Sequence, residues 1–295
     1  MLPRRALFGI SLVPEAANHA QLVEWAQRAD ASGLDFIGIQ DHPYQRRFLD
    51  TFQLIADLLA RTQRVSIFPD VASLPMRGPT MIAKAAASLD VMSGGRFELG
   101  LGAGNFWDAV AGMGGPHRTS AEAADALEEA IAIIRGALDV GPERRVVRGD
   151  GHHYPVPGYP PGPPPAHRIE LWIGAYRPRA LRLIGRVADG WVPSHGYLPP
   201  HGFRVASARI DAAAREAGRD PALIRRLYNF GGAITDDGGQ VGADLDGPVR
   251  SWIDRLIGWR TDLGVDGFVF WAPDQASLER YAGEVVPAAR AALGE

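Results

Sequence analysis

Short apolar runs alternate along this chain with longer stretches whose apolar residues return at every third or fourth position. The first pattern suits buried strands, and the second suits helices with one packed face. The clearest unit runs from Pro79 to Asn105. Within it Ile82, Ala85, Ala86, Leu89 and Met92 share one helical face, Ser93-Gly94-Gly95 stops the helix, and residues 97–101 read as a strand. Glycine ends helices because it enters the left-handed region without a Cβ clash. The strand empties into Gly102-Ala103-Gly104-Asn105, a turn whose bare backbone lets a ligand approach closely.

The same alternation fills the rest of the chain. Strands are expected at residues 7–11, 36–40, 65–71, 97–101, 169–173, 190–192, 227–234 and 267–271. Between them lie amphipathic segments, among them residues 19–31, a helix capped by Thr51 with Ile55, Leu58 and Leu59 inward, and one carrying Leu181, Ile184 and Val187. Thr119 and Glu122 have the spacing of a capping box and open a further helix through Leu138. Residues 205–217 and segments around Trp252 and Tyr281 complete the set. Eight strands alternating with helices favour parallel pairing and right-handed crossovers, and eight such units close into a (β/α)8 TIM barrel. With no linker between halves, residues 1–295 form one domain. The pattern fails in two places: a glycine-rich loop at 106–118, and a proline-rich insertion at 140–168 with a small hairpin around His152-His153-Tyr154.

Composition narrows the function classes. With 46% hydrophobic and 22% charged residues the chain is an ordinary soluble globular type. Its net charge of −3 gives no reason to expect nucleic acid or an anionic membrane as partner. Cysteine is absent, which removes disulfides and thiolate chemistry. Arg4-Arg5 before an apolar run imitates a secretory leader, but Gly9, Ser11 and Pro14-Glu15 favour a first strand. No apolar segment nears the ~20 residues of a membrane-spanning helix. A cytoplasmic protein is expected.

In a TIM barrel the site lies at the C-terminal ends of the strands. That rim holds one strand-end carboxylate, Asp41, next to His42; then Val71, Ala72 and Ser73; Gly104 and Asn105; Gly174, Ala175, Tyr176 and Arg177; Ser194, His195, Asn229 and Trp271. It carries neither an HExxH motif nor a histidine ligand cluster, so no metal is expected, and no G-x-S-x-G elbow. Small side chains, glycine backbone and a few aromatics suit a flat hydrogen-bonding ring whose own chemistry does the work. Gly174-Ala175 ahead of a helix suits a phosphate, because free N–H groups and the helix dipole point at the anion. Gly100-x-Gly102-x-Gly104 lacks dinucleotide spacing and reads as tight packing. His152-His153 reads as surface. Phe106-Trp107 either covers a ligand or anchors its own loop.

Three blocks, GLDFIGIQDHP at 33–43, LPMRGPTMIAKAAASLDVMSGGRFELGLGAGN at 74–105 and LWIGAYRPRALRLIGRVADGW at 171–191, together resemble the bacterial-luciferase-like superfamily of flavin- and deazaflavin-dependent oxidoreductases. The resemblance implies a barrel, usually dimeric, that binds FMN or coenzyme F-420 at the strand tips. It places Asp41 and His42 near the ring, matches Val71-Ala72-Ser73 to a strand-three bulge that often holds a non-proline cis peptide, and matches Gly174 to Arg177 to the phosphate loop. It also marks a departure: the position after the glycine run, commonly a proton-donating glutamate in F-420-dependent dehydrogenases, is Asn105 here. An amide orients but does not shuttle protons at neutral pH. The expected activity is hydride transfer between coenzyme F-420 and a small organic substrate, with His42 and Asn105 catalytic. The alternatives are an FMNH2-dependent monooxygenase served by a separate flavin reductase, and a non-catalytic flavin-binding protein.

Overall fold

The computed structural model describes residues 4–139, 146–236 and 245–295. Its centre is a ring of parallel strands: β1 (Leu7–Leu12), β2 (Phe36–Ile39), β3 (Ser66–Pro69), β4 (Ala72–Ser73), β5 (Leu99–Gly102), then, after a hairpin of β6 (Val147–Asp150) and β7 (Pro155–Tyr159), β8 (Leu171–Gly174), β9 (Gly190–Trp191), β10 (Arg225–Gly231) and, beyond a short pair of β11 (Ile234–Thr235) and β12 (Gly247–Pro248), β13 (Gly267–Trp271). Neighbours run β3-β2-β1-β13-β10-β9-β8-β5-β4. Because β3 and β4 are two halves of the third strand, and Ile67 also bridges to Phe97, the ring closes on itself as a barrel.

The helices α1 (His19–Ala31), α2 (Thr51–Arg61), α3 (Pro79–Ser93), α4 (Trp107–Gly112), α5 (Ser120–Leu138), α6 (Pro178–Val187), α7 (Pro200–Glu216), α8 (Val249–Leu263), α9 (Gln275–Arg280) and α10 (Val286–Leu293) pack outside the strands. Inside the ring, Phe36, Phe68, Trp172, Val192, Leu227 and Val269 fill the lumen. Phe68 and Trp172 meet edge to face at 4.8 Å. Each such buried aromatic contributes about 2–3 kcal/mol of hydrophobic burial, so the barrel is a packed core rather than a pore.

Several local expectations change. The third strand does not run unbroken to Val71: it stops at Pro69, passes a non-proline cis peptide of the kind the resemblance implies, here Asp70–Val71, and resumes at Ala72. The cap of α2 is Asp50, whose carboxylate accepts from Phe52 N and Gln53 N at 3.0 and 3.1 Å, while Thr51 instead donates to the Gln40 carbonyl. Met92 is not on the packed face of α3 but 75% exposed, and Val187 also faces solvent. Loop 106–118 contains the short helix α4, and the stretch expected as one strand at 227–234 is β10 plus the separate β11. The insertion does form an antiparallel hairpin, clasped by the Glu129 carboxylate accepting from the N–H groups of His152, His153 and Tyr154. The first part of that insertion, residues 140–145, lies outside the described residues.

Candidate active site

The break in the third strand shapes the C-terminal mouth. Val71 points back under the neighbouring strands, and the glycines there exist to admit it. A Cβ on Gly102 would stand 2.8 Å from Val71 Cγ2, and one on Gly174 would stand 3.0 Å from it. A Cβ on Gly100 would strike the Pro69 carbonyl at 2.1 Å. The Gly100-x-Gly102 pair is therefore packing, as its spacing indicates. Gly104 has φ +106°, and a side chain there would hit Pro75 and Trp107, so this turn tolerates only glycine.

Asp41 is 2% exposed at the end of β2. Its two oxygens accept from Ser73 N at 2.9 Å and from Arg77 Nε and Nη2, both at 3.0 Å. Arg77 also reaches Asp50 at 2.7 Å and lies over the Phe52 ring. Although burial works against its charge, the two carboxylates hold the Arg77 guanidinium's pKa above its ordinary value. Asp41 thus ties the resumed third strand to the second and has little capacity left for a ligand. Ala72 is fully buried in the core and offers the mouth only backbone, while Ser73 gives its N–H to Asp41.

His42, next along, is half-buried. Burial outweighs the pull of Asp41 and lowers its pKa, so the imidazole is neutral at pH 7. Its Nδ1 lies 2.7 Å from the Tyr44 hydroxyl. Burial, reinforced by Asp41, pushes that phenol up to about 12, so it keeps its proton. In the tautomer in which Tyr44 O–H donates to Nδ1, the histidine proton sits on Nε2. Phe106 closes the other side, edge-on to His42 at 5.8 Å and near Tyr44 at 5.9 Å. It is 52% exposed and has φ +55°, among the described residues the one non-glycine in the left-handed region. Asn105 sits exposed beside it on the rim.

On the far side, Gly174 and Ala175 lead β8 into α6. The Ala175 carbonyl accepts from Trp191 Nε1 at 2.8 Å, and the Tyr176 hydroxyl accepts from Ser194 N at 3.1 Å. Arg177 is the exposed N-cap of α6, where no side chain caps the free N–H groups. The free N–H groups of this helix start, other than that missing at Pro178, face the mouth side of β8's exit loop without a side-chain partner. The structure therefore gathers Asp41, His42, Val71, Ala72, Ser73, Gly104, Asn105, Gly174, Ala175, Tyr176 and Arg177 at one barrel mouth, although Asp41, Ala72 and Val71 act there as supports.

Three residues of this mouth escaped sequence reasoning: Tyr44 and Arg77, the partners of His42 and Asp41, and Asp70. The rim has a second strand-end carboxylate, Asp70, which ends the β3 segment just before the break. Burial pushes it up to about 7, against the opposing influence of Asn229 and Ser11. Asp70 Oδ1 accepts from Asn229 Nδ2 at 3.2 Å, and Asn229 Oδ1 accepts from Trp271 Nε1 at 2.7 Å. Asp70 Oδ2 and Ser11 Oγ, both out of solvent, complete no hydrogen bond. The signal was a lone acid at the end of the apolar run Ile67-Phe68-Pro69, which cannot be left unexplained inside a barrel.

A barrel whose third strand breaks beneath a mouth of small side chains, with an uncapped helix end opposite a neutral histidine, defines a ligand-binding enzyme class rather than a structural barrel. The chain belongs to the luciferase-like monooxygenase family, whose sequence profile matches residues 7–291. It is 30% identical over 214 residues to a 5,10-methylenetetrahydromethanopterin reductase of Archaeoglobus fulgidus, covering 72% of this chain and 59% of that protein. The chain thus matches about three-fifths of the length of that relative. Among solved structures it is similar to an F420-dependent secondary alcohol dehydrogenase in complex with an F420-acetone adduct, with TM-score 0.85 and 18% identity over 97% of this chain and all of that one. It is also similar to an EDTA monooxygenase from Chelativorans sp. BNC1, with TM-score 0.80 and 18% identity over 98% and 94% of the two chains. At these identities the solved structures speak for the fold.

Proposed function

We propose that the protein is an oxidoreductase that binds coenzyme F-420 at the C-terminal mouth and exchanges a hydride with a small organic substrate. The observation that carries this reading is the broken third strand: Val71 seated against Gly102 and Gly174 leaves glycine backbone and small side chains at the strand ends between the loops of His42 and Tyr176. Two buried polar atoms without partners, Asp70 Oδ2 and Ser11 Oγ, fit a ligand that brings its own hydrogen-bonding groups. A relative named as an F420-dependent glucose-6-phosphate dehydrogenase, 31% identical over 218 residues, supports the deazaflavin over FMN. When bound in its reduced form, such a ring supplies a hydride and leaves little for side chains to do beyond aiming it.

Each side chain then has a limited task. The α6 N-terminus with Arg177 holds phosphate. His42, neutral and protonated on Nε2, donates a hydrogen bond to a substrate oxygen that gains negative charge, and its lowered pKa keeps the imidazole from arriving already charged. Asn105 orients the substrate from the rim. Parallel titrations with F-420, FMN and reduced FMN, followed by absorbance, test the reading. Submicromolar binding of F-420 is expected; tight binding of reduced FMN alone would make the protein a monooxygenase instead. His42→Ala is expected to keep ligand affinity while turnover drops about 100-fold, and unchanged turnover removes its role.

A further inference from the structure

Side chains from the C-terminal ends of the first, third and seventh strands of the barrel meet. Ser11 comes from β1, Asp70 from the end of β3, and Asn229 from β10. Gly38 on β2 completes the enclosure: a Cβ there would lie 3.1 Å from Asp70 Oδ2, so any other residue would crowd the carboxyl. The Asn229 amide is oriented from above, since its oxygen is taken by Trp271 Nε1 and its nitrogen must face Asp70. Oδ1 is accordingly an acceptor. Oδ2 completes no hydrogen bond of good geometry, the nearby Ser11 hydroxyl only partly offsetting the effect of burial, and a charged carboxylate with so poorly satisfied and desolvated an oxygen is costly. Among the described residues no cation pairs with it, and the titratable group that feels its charge is the Tyr176 phenol.

We propose that Asp70 is the proton-bearing group of this cup, held as a carboxylic acid between Ser11 and Asn229 and donating a hydrogen bond from Oδ2 to an acceptor atom of the bound heterocycle. This rests on the reading that the mouth takes a flavin-type ring. The acid form explains the bare oxygen, because an O–H that awaits a ligand acceptor needs no donor from the protein. It also explains why burial is tolerated: a neutral carboxyl carries a far smaller desolvation cost than an ionised one. Binding then draws on the protonated population, so ligand affinity is linked to proton occupancy at this one site.

The test compares the wild-type chain with Asp70→Asn, whose carboxamide can still donate but cannot titrate. Affinities for F-420 and for FMN are measured from pH 5.5 to 9. The ratio of wild-type to variant dissociation constants cancels the ionisation of the ligand itself. It is expected to sit near one at the acid end and to rise about tenfold per pH unit above neutrality. In parallel, the Asp70 carboxyl resonance of ligand-free wild-type protein, assigned by its loss in the variant, is expected to titrate near neutral pH. A ratio that stays constant across pH, or a carboxyl already ionised at pH 5.5, overturns the proposal while leaving ring binding intact. If neither ligand binds the wild type at any pH, the ring-binding reading falls and this inference falls with it.

Discussion

At the N-terminal mouth of the barrel, Asp189 accepts from Leu171 N at 2.8 Å, from Arg168 at 2.7 Å and from Arg135. At the C-terminal mouth, Asp70 accepts one bond at 3.2 Å and leaves its second oxygen bare. The same strands end in both places. Below, Arg5 pairs with Asp35, Arg225 with Glu170, and His167 with both Asp90 and Glu98. Single nitrogens of Arg4, Arg225 and Arg290 lack a partner, and the guanidinium groups of Arg225 and Arg290 are each anchored through another nitrogen. A hollow of about 360 Å³ opens at that end, and of its charged side chains Arg5, Asp35, Glu98, Glu170 and Arg225 are already paired with neighbours. Above, charge is sparse, the buried polar atoms are incompletely bonded, and Phe106 is held in an unfavourable backbone region. The lower mouth is built to stay folded, and the upper one is built to be completed by something else.

The largest effect that bears on this contrast comes from breaking the lower network. Burial alone would raise the Asp189 pKa, but Arg135 and Arg168 with the Leu171 N–H hold it below the usual carboxylate range. Asp189→Ala is expected to cost about 3–5 kcal/mol in chemical denaturation, because it leaves arginine charge buried without its partner. Ligand affinity of the folded fraction should be unchanged. Loss of affinity without loss of stability would mean that the two mouths are not separate in role.

A smaller effect is set by pH. The hydrogen bond to Glu98 leads the influences that raise His167 to about 9, with burial opposing and Asp90 adding to it. Its folded pKa thus exceeds the ordinary 6.5. The stabilisation is complete below that ordinary value and is lost as pH rises through about 9. Melting temperature should fall between pH 7 and 10, and His167→Gln should flatten that slope. An equal slope in the variant would assign the loss elsewhere.

The smallest effect has the opposite sign. Phe106→Gly removes a bulky residue from φ +55° and should raise stability by up to about 1 kcal/mol, visible as a melting temperature higher by ~2 °C. A drop instead would mean that the ring contributes more through contacts with His42 and Tyr44 than its backbone costs.

Much of the barrel was legible because buried strands and amphipathic helices impose period on the chain. The eight strand positions follow from apolar runs such as Phe36-Ile37-Gly38-Ile39, and the capping box at Thr119 and Glu122 is a local device that forms as written. What escaped was set by tertiary contacts. Nothing local in Ser66-Ile67-Phe68-Pro69 announces that the strand will stop there, since the stop depends on Val71 finding room under glycines from two other strands. Reading the third strand through to Val71 hid Asp70, and with it the second carboxylate of the mouth. Asp50 displaced Thr51 as the cap because its carboxylate serves both α2 and Arg77, a partner 27 residues away. The short helix α4 spans six residues of a glycine-rich loop, too few to show a period. Met92 lies at a helix end where the strands no longer cover it.

The most direct test is a crystal structure of the protein with F-420 bound. The account predicts a tricyclic ring lying over the break between Pro69 and Ala72, within reach of His42, with its phosphate at the start of α6. A ligand found instead in the hollow at the N-terminal mouth, or a C-terminal mouth too narrow to admit the ring, would contradict it.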